Sequence, residues 1–209
     1  LYRLPKNWAA EAASLEEQLA RLTLQGCSAT DPRSTGWVAP RDGGSLIHSV
    51  NQQWLLALGV EEKLLPASIV KRFASDRAKE IEETEGRRIG RREMRELVEA
   101  MTVELLPRAF IRRRSTYGWI DRSNGWLVVD AASPAKAEEF LEQLRKSIDT
   151  LPAKVLKVTL SPSAAMTAWV ADGEAPAGFT LDQDLELRST EKATVRYANH
   201  SLEGEEIRQ

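Results

Sequence analysis

Proton transfer, nucleophilic attack and metal binding draw on a small set of side chains, and this chain holds few of them. It has two histidines, His48 and His200, and one cysteine, Cys27. A zinc hydrolase needs a histidine pair at helical spacing and a structural zinc site needs several thiolates, and neither pattern occurs. His48 alternates with Leu46 and Val50 and reads as a half-buried strand histidine; His200, beside Ser201, reads as a turn residue. Cys27 reads as a small hydrophobe, and a chain that cannot form an internal disulfide fits a reducing cytosol. There is no GlyXXXXGlyLysSer loop, no GlyXGlyXXGly turn and no GlyXSerXGly elbow. The carboxylates of Glu80, Glu82, Glu83 and Glu85 could gather magnesium, but Lys79, Arg87 and Arg88 beside them favour a solvated, ion-paired helix face. No catalytic residue, metal ligand or cofactor is therefore assigned.

What the chain does concentrate is positive charge. Arg87, Arg88, Arg91, Arg92 and Arg95 put five arginines into nine positions of a protein whose net charge is −2. At about 100° per residue, Arg91, Arg92 and Arg95 gather on one helix flank with Arg88 just before them. A second group, Arg108, Arg112, Arg113 and Arg114, opens a segment that also carries Tyr117 and Trp119, while Lys71, Arg72, Arg77 and Lys79 precede the first group. The guanidinium fork donates two parallel hydrogen bonds and suits phosphate, so a polyanion is the natural partner. Acidic residues dominate elsewhere, around Asp182, Asp184, Glu186 and Glu203 to Glu206, and the sequence pI of about 5.9 is far from that of a basic nucleic-acid module. Other readings stay open at this point: a solvated charge run, a scaffold meeting an acidic protein, a single-strand or RNA binder stacking bases on Tyr117, Trp119 and Trp126, or a carboxylate-metal nuclease.

The elements that must carry these residues can be read from periodicity. Trp8, Ala12, Leu15, Leu19 and Leu22 predict a helix capped by Asn7, and turn chemistry follows at AspProArgSerThrGly and ArgAspGlyGly. SerLeuIleHisSerVal and TrpLeuLeuAlaLeuGlyVal read as paired strands. From Pro66 to Leu106, the stripes Val70, Ala74, Ala78, Ile81 and Met94, Leu97, Val98, Met101, Leu105 predict two helices broken at Gly86 and Gly90. Phe110 to Ile120, an AsnGly turn, and TrpLeuValValAsp predict a hairpin. Ser133–Pro134 and Ser161–Pro162 each predict a helix start, the second helix ending near Gly173. Leu185 to Asn199 holds one or two strands, and Ser201 starts a further helix. The fold expected is α+β, with antiparallel sheets, packed helices and a projecting helical hairpin. Residues 1–65 and 107–209 would form a discontinuous α/β body and residues 66–106 a helical tip. No apolar run nears the roughly 20 residues of a membrane helix.

Taken in order, TyrArgLeu (Tyr2 to Leu4), GlyTrpVal (Gly36 to Val38), GluGluLysLeuLeuPro (Glu61 to Pro66), LeuLeuProArgAlaPhe (Leu105 to Phe110), TrpIleAsp (Trp119 to Asp121), AsnGly (Asn124, Gly125), ValAsp (Val129, Asp130), LysAlaGlu (Lys136 to Glu138), LeuArgLysSer (Leu144 to Ser147) and GluGluIle (Glu205 to Ile207) resemble the RdgC family of bacterial recombination-associated DNA-binding proteins. The resemblance implies a ring-shaped homodimer in the nucleoid that encircles double-stranded DNA without sequence preference and restrains RecA-mediated strand exchange, aiding fork repair. It implies that a strand before Leu1 and a region after Gln209 belong to the full protein. It also implies a dimer contact through Phe110, the alternative being a core phenylalanine of its own subunit. The family's basic tip matches the Arg87 to Arg95 region in character. Where relatives carry lysines this chain has Ala198, Asn199 and His200, so no DNA contact is carried over there. The candidate DNA-binding residues are Lys71, Arg72, Arg87, Arg88, Arg91, Arg92, Arg95, Arg112, Arg113 and Arg114.

Overall fold

The computed structural model describes residues 1–202 and 207, apart from residues 7, 9, 190 and 192. The expected cap Asn7, the acidic stretch Glu203 to Glu206 and most of the helix expected from Ser201 lie outside the described residues. In chain order the elements are β1 (Tyr2–Arg3), α1 (Ala12–Ala20), β2 (Arg33–Val38), β3 (His48–Val50), β4 (Gln53–Leu64), α2 (Ala67–Glu85), α3 (Arg91–Leu105), a 3₁₀ turn (Leu106–Arg108), β5 (Phe110–Asp121), β6 (Trp126–Val129), α4 (Pro134–Ser147), β7 (Lys154–Val155), α5 (Pro162–Asp172), β8 (Leu185–Arg188) and β9 (Thr194–Tyr197). The fold is α+β, as expected. Two compact units are present, Leu1–Leu156 and Lys157–Gln209, and the helical pair α2–α3 belongs to the first.

In the first unit the described strands form an antiparallel sheet in the order β2-β4-β5-β6-β1-β7, with β3 pairing β4. Residues paired across strands share a sheet face. Register therefore puts Trp37, Trp54, Leu56, Leu58, Ile120, Leu127 and Tyr2 on one face, where Leu15 and Leu19 of α1 and Phe140, Leu141 and Leu144 of α4 complete the core. The Trp37 and Phe140 rings meet edge to face at 5.3 Å, and the Trp37 indole donates to Ser147 Oγ at 2.7 Å. Phe140 lies directly over Gly118, where an added Cβ would stand 2.1 Å from the ring tip, so only glycine admits this ring.

The opposite face is covered in part. Residues 22–32 run over the β2–β4 side, and two charged side chains bind that segment down. Lys63 Nζ donates to the carbonyls of Ser28 at 2.5 Å and Ala29 at 2.8 Å, and the Cys27 amide donates to Glu61 Oε1 at 3.0 Å. Cys27 is half-buried. On the β5–β6 side, Tyr117 and Trp119 remain 40% and 37% exposed.

Some local expectations change. The first helix spans Ala12–Ala20 only, and Trp8 instead packs edge-on against Trp54 at 6.4 Å. Part of AspProArgSerThrGly, expected as a turn, is strand β2, because pairing with β4 from Arg33 onward overrides local turn preference. Leu46 and Ile47 are both buried and β3 runs from half-buried His48 to exposed Ser49 and Val50, so the expected alternation of His48 with Leu46 and Val50 is not formed. The second unit contains α5, whose first turn is capped by Ser161 Oγ accepting from the Ala164 amide, and the antiparallel ribbon β8–β9. Its small core joins Val170, Leu202 and Ile207 to Leu181, Leu185 and Tyr197. Among the described residues, no helix is long and apolar enough to cross a membrane.

Candidate nucleic-acid interface

Helices α2 and α3 pack chiefly against each other. The seam uses Val70, Ala74 and Ala78 of α2, three buried positions at helical spacing, against half-buried Met94, Leu97, Val98 and Met101 of α3. This leaves the outer flanks to charge. α2 ends at Gly86, whose φ of 68° closes the helix in a left-handed cap, and the Ile89 amide donates to Glu82 Oε1 at 2.7 Å.

Seven of the ten candidate cations sit on this pair, and their surroundings differ. Arg87 donates from both terminal nitrogens to Glu93 at 2.7 Å and from Nε to Glu85 at 2.6 Å. The hydrogen bonds from Glu93, then Glu85, hold its guanidinium above the ordinary arginine range, and Arg87 in turn holds the Glu93 carboxyl low. Arg92 pairs with Glu96 at 3.0 Å, one turn on. Lys71, Arg72, Arg88, Arg91 and Arg95 are exposed, and among the described residues none has a carboxylate within ion-pair distance. The four carboxylates weighed as magnesium ligands are partly occupied: Glu80 pairs with Arg77, Glu82 takes the Ile89 amide and Glu85 takes Arg87.

The other three candidates lie on β5, where alternation separates them. Arg112 and Arg114 share the face of Glu62, while Arg113 points to the opposite face with Glu61. Each finds a carboxylate on β4: Arg112 meets Glu62 at 2.9 Å, Arg114 meets it at 3.7 Å, and Arg113 Nε donates to Glu61 at 2.8 Å. Glu61 is only 2% exposed. The Cys27 amide first, and then Arg113, draw its pKa below the ordinary carboxylate value against the opposing pull of burial. Glu62 is likewise held low, foremost by Arg112. Reading charge along the chain alone misses these acids. They come from the antiparallel β4–β5 register, which sets Glu61 opposite Arg113 and Glu62 opposite Arg112 across the inserted helical pair, and no local signal in the chain announces it.

Phe110 is 83% exposed at the start of β5, beside Ile111 and opposite the exposed Leu64. Among the described residues no core encloses it. On the open sheet face, Arg3 stacks over Trp126 at 3.9 Å from the ring centroid. His200 is exposed, with its ring against Tyr197. Among the described residues no three His, Cys, Asp or Glu side chains gather as a metal site.

A family model described as "Putative exonuclease, RdgC" matches residues 1–209. The recombination-associated protein RdgC of Herminiimonas arsenicoxydans is 53% identical over 209 residues, covering 99% of this chain and 70% of that protein. Its counterpart in Dechloromonas aromatica is 50% identical, covering 99% of this chain and 68% of that protein, and the one in Janthinobacterium is 50% identical, covering 100% and 70%. A match that runs the length of the chain at about half identity leaves one conclusion: the chain belongs to the RdgC family.

Proposed function

We propose that this chain binds double-stranded DNA without sequence preference, acting as a ring-shaped homodimer that encircles the duplex in the nucleoid and tempers RecA-mediated recombination and fork repair, with no catalytic step of its own. The observation that carries the reading is the set of exposed cations on the helical pair that have no ion-pair partner among the described residues: Lys71, Arg72, Arg88, Arg91 and Arg95. Backbone phosphates repeat regularly and carry no base identity, so side chains that meet only phosphate bind every sequence alike. Family membership adds support, since the similar proteins are named recombination-associated. Exposed Phe110, with its cross-strand partner Leu64 on the same sheet face, offers the apolar surface that a second copy would cover.

Duplex affinity measured against salt tests the reading. Five neutralised phosphates predict a slope of log K on log salt of roughly −4.5 or steeper. A slope near −1 overturns it. The dimer contact is tested separately: Phe110→Ala should weaken self-association in sedimentation, and an unchanged dimer constant counts against it. Retention on closed circles but not linear duplex after a salt wash tests encirclement, and magnesium-dependent cleavage by concentrated protein would defeat the non-catalytic reading.

One observation favours a second reading. Tyr117 and Trp119, two residues apart on one strand, keep over a third of their surface exposed on the open sheet face. Such a pair can stack successive bases of a single strand. Trp119→Ala would then lower single-strand affinity selectively while the duplex is bound as before.

A further inference from the structure

Arg87 stands apart from the other arginines of the helical pair. Among the described residues it alone there is gripped by two carboxylates, with Glu93 taking both terminal nitrogens and Glu85 taking Nε. Glu85 is the last residue of α2, and Glu93 lies in the first turn of α3. The triad therefore spans the turn between the helices. The backbone of that turn is poorly restrained on its own, because Gly86 and Gly90 bracket it and nothing approaches their Cβ positions within 4 Å. A second tie, from the Ile89 amide to Glu82, runs in the same direction. Arg87 has already committed its three nitrogens, whereas its neighbour Arg88 and the next-turn residues Arg91 and Arg95 make no ion pair among the described residues.

Resting on the duplex-binding reading, we infer that Arg87 is a positioning residue rather than a phosphate contact. With Glu85 and Glu93 it clasps the turn at residues 86–90 and fixes the direction in which α3 departs, and so the geometry in which Arg88, Arg91 and Arg95 meet successive phosphates. Within this arrangement a negative charge, Glu93, promotes the binding of a polyanion.

That inverted sign makes the test decisive. Glu93→Gln removes a negative charge from a phosphate-binding surface. If Arg87 were a phosphate contact held back by Glu93, the change would strengthen duplex binding; if the triad is a clasp, the change weakens it. The expected result, by fluorescence anisotropy on a random-sequence duplex with the intact protein, is a loss of roughly threefold to fivefold for Glu93→Gln, the range of an exposed ion-pair network. Arg87→Gln should lose a similar factor, and the double variant no more than either single one. Hydrogen exchange at the Ile89 amide should quicken in Glu93→Gln without DNA present. Unchanged or rising affinity in Glu93→Gln overturns the clasp. The triple variant Arg88→Gln, Arg91→Gln, Arg95→Gln separates the two failures. If it binds like the parent, the duplex reading falls and the positioning role with it; if it loses affinity while Glu93→Gln gains, the clasp alone falls.

Discussion

The helical pair and strand β5 carry the same residue type at similar density, yet they present it in opposite states. On α3 and the turn before it, Arg88, Arg91 and Arg95 have no carboxylate partner among the described residues, and Arg92 has one only at i+4. On β5, Arg112, Arg113 and Arg114 all face Glu61 or Glu62 across the ladder. The difference is one of geometry. A helix reaches its partners within its own next turn, and that pairing is optional on an exposed flank: Arg92 takes Glu96, while Arg95 stands one turn before Glu99 and Arg72 one turn before Asp76 without an ion pair among the described residues. A strand is handed its partners by register, and here the partner strand supplies two carboxylates. The helical pair therefore offers available charge, and β5 offers charge already spent on cohesion.

The largest expected effect tests the first half of that contrast. Replacing Arg88, Arg91 and Arg95 together with glutamine should weaken duplex binding on the order of 100-fold near 0.15 M salt and flatten the salt slope by about 2.7, as three lost phosphate contacts require. A smaller loss than that of a β5 variant would break the comparison.

Next comes a control confined to the body. Gly118→Ala drives a methyl into Phe140 and should cost about 1–3 kcal/mol of stability in denaturant unfolding. Duplex affinity of the folded protein should hold, and a parallel fall would mean that the helical pair depends on the α4 packing.

Arg112→Gln with Arg114→Gln should reduce duplex affinity by less than about fivefold, because Glu62 already neutralises much of that charge. Equal losses from this pair and from the tip would make the two regions one surface.

The smallest effect is on pH dependence. Glu61 and Glu62 have folded pKa values below their ordinary 4.5. Their stabilisation is thus complete above that pH and is lost as pH falls through the lower folded values. Melting temperature should drop more steeply below pH 4.5 in the parent than in Glu61→Gln, and parallel profiles would detach Glu61 from the stability of the ladder.

How much of this was legible in the chain follows the same division. The helical pair could be read because its signals are local: stripes at Val70, Ala74 and Ala78, glycines at positions 86 and 90, and a period that shortens to two after Pro107. The β5–β6 hairpin and the starts of α4 and α5 rest on AsnGly and SerPro, which act within a few residues. Strand β2 was missed because its pairing with β4 is remote in sequence and its own residues favour a turn. The candidate site divides likewise. The tip cluster could be read as clustered charge, but whether a given arginine was engaged could not, since Glu61 meets Arg113 across 52 positions. Even Arg87 and Glu93, six apart, meet only because the turn folds the chain back.

The seam between α2 and α3 carries one more consequence. Among the described residues of α3, none is fully buried, while the sheet beside α1 and α4 holds most of the large apolar side chains. Local unfolding begins where apolar contacts are fewest. On warming, the α2–α3 pair should therefore loosen while the sheet keeps its shape, so that the proposed duplex binding would be lost below the temperature at which the protein denatures and would return on cooling without refolding from scratch.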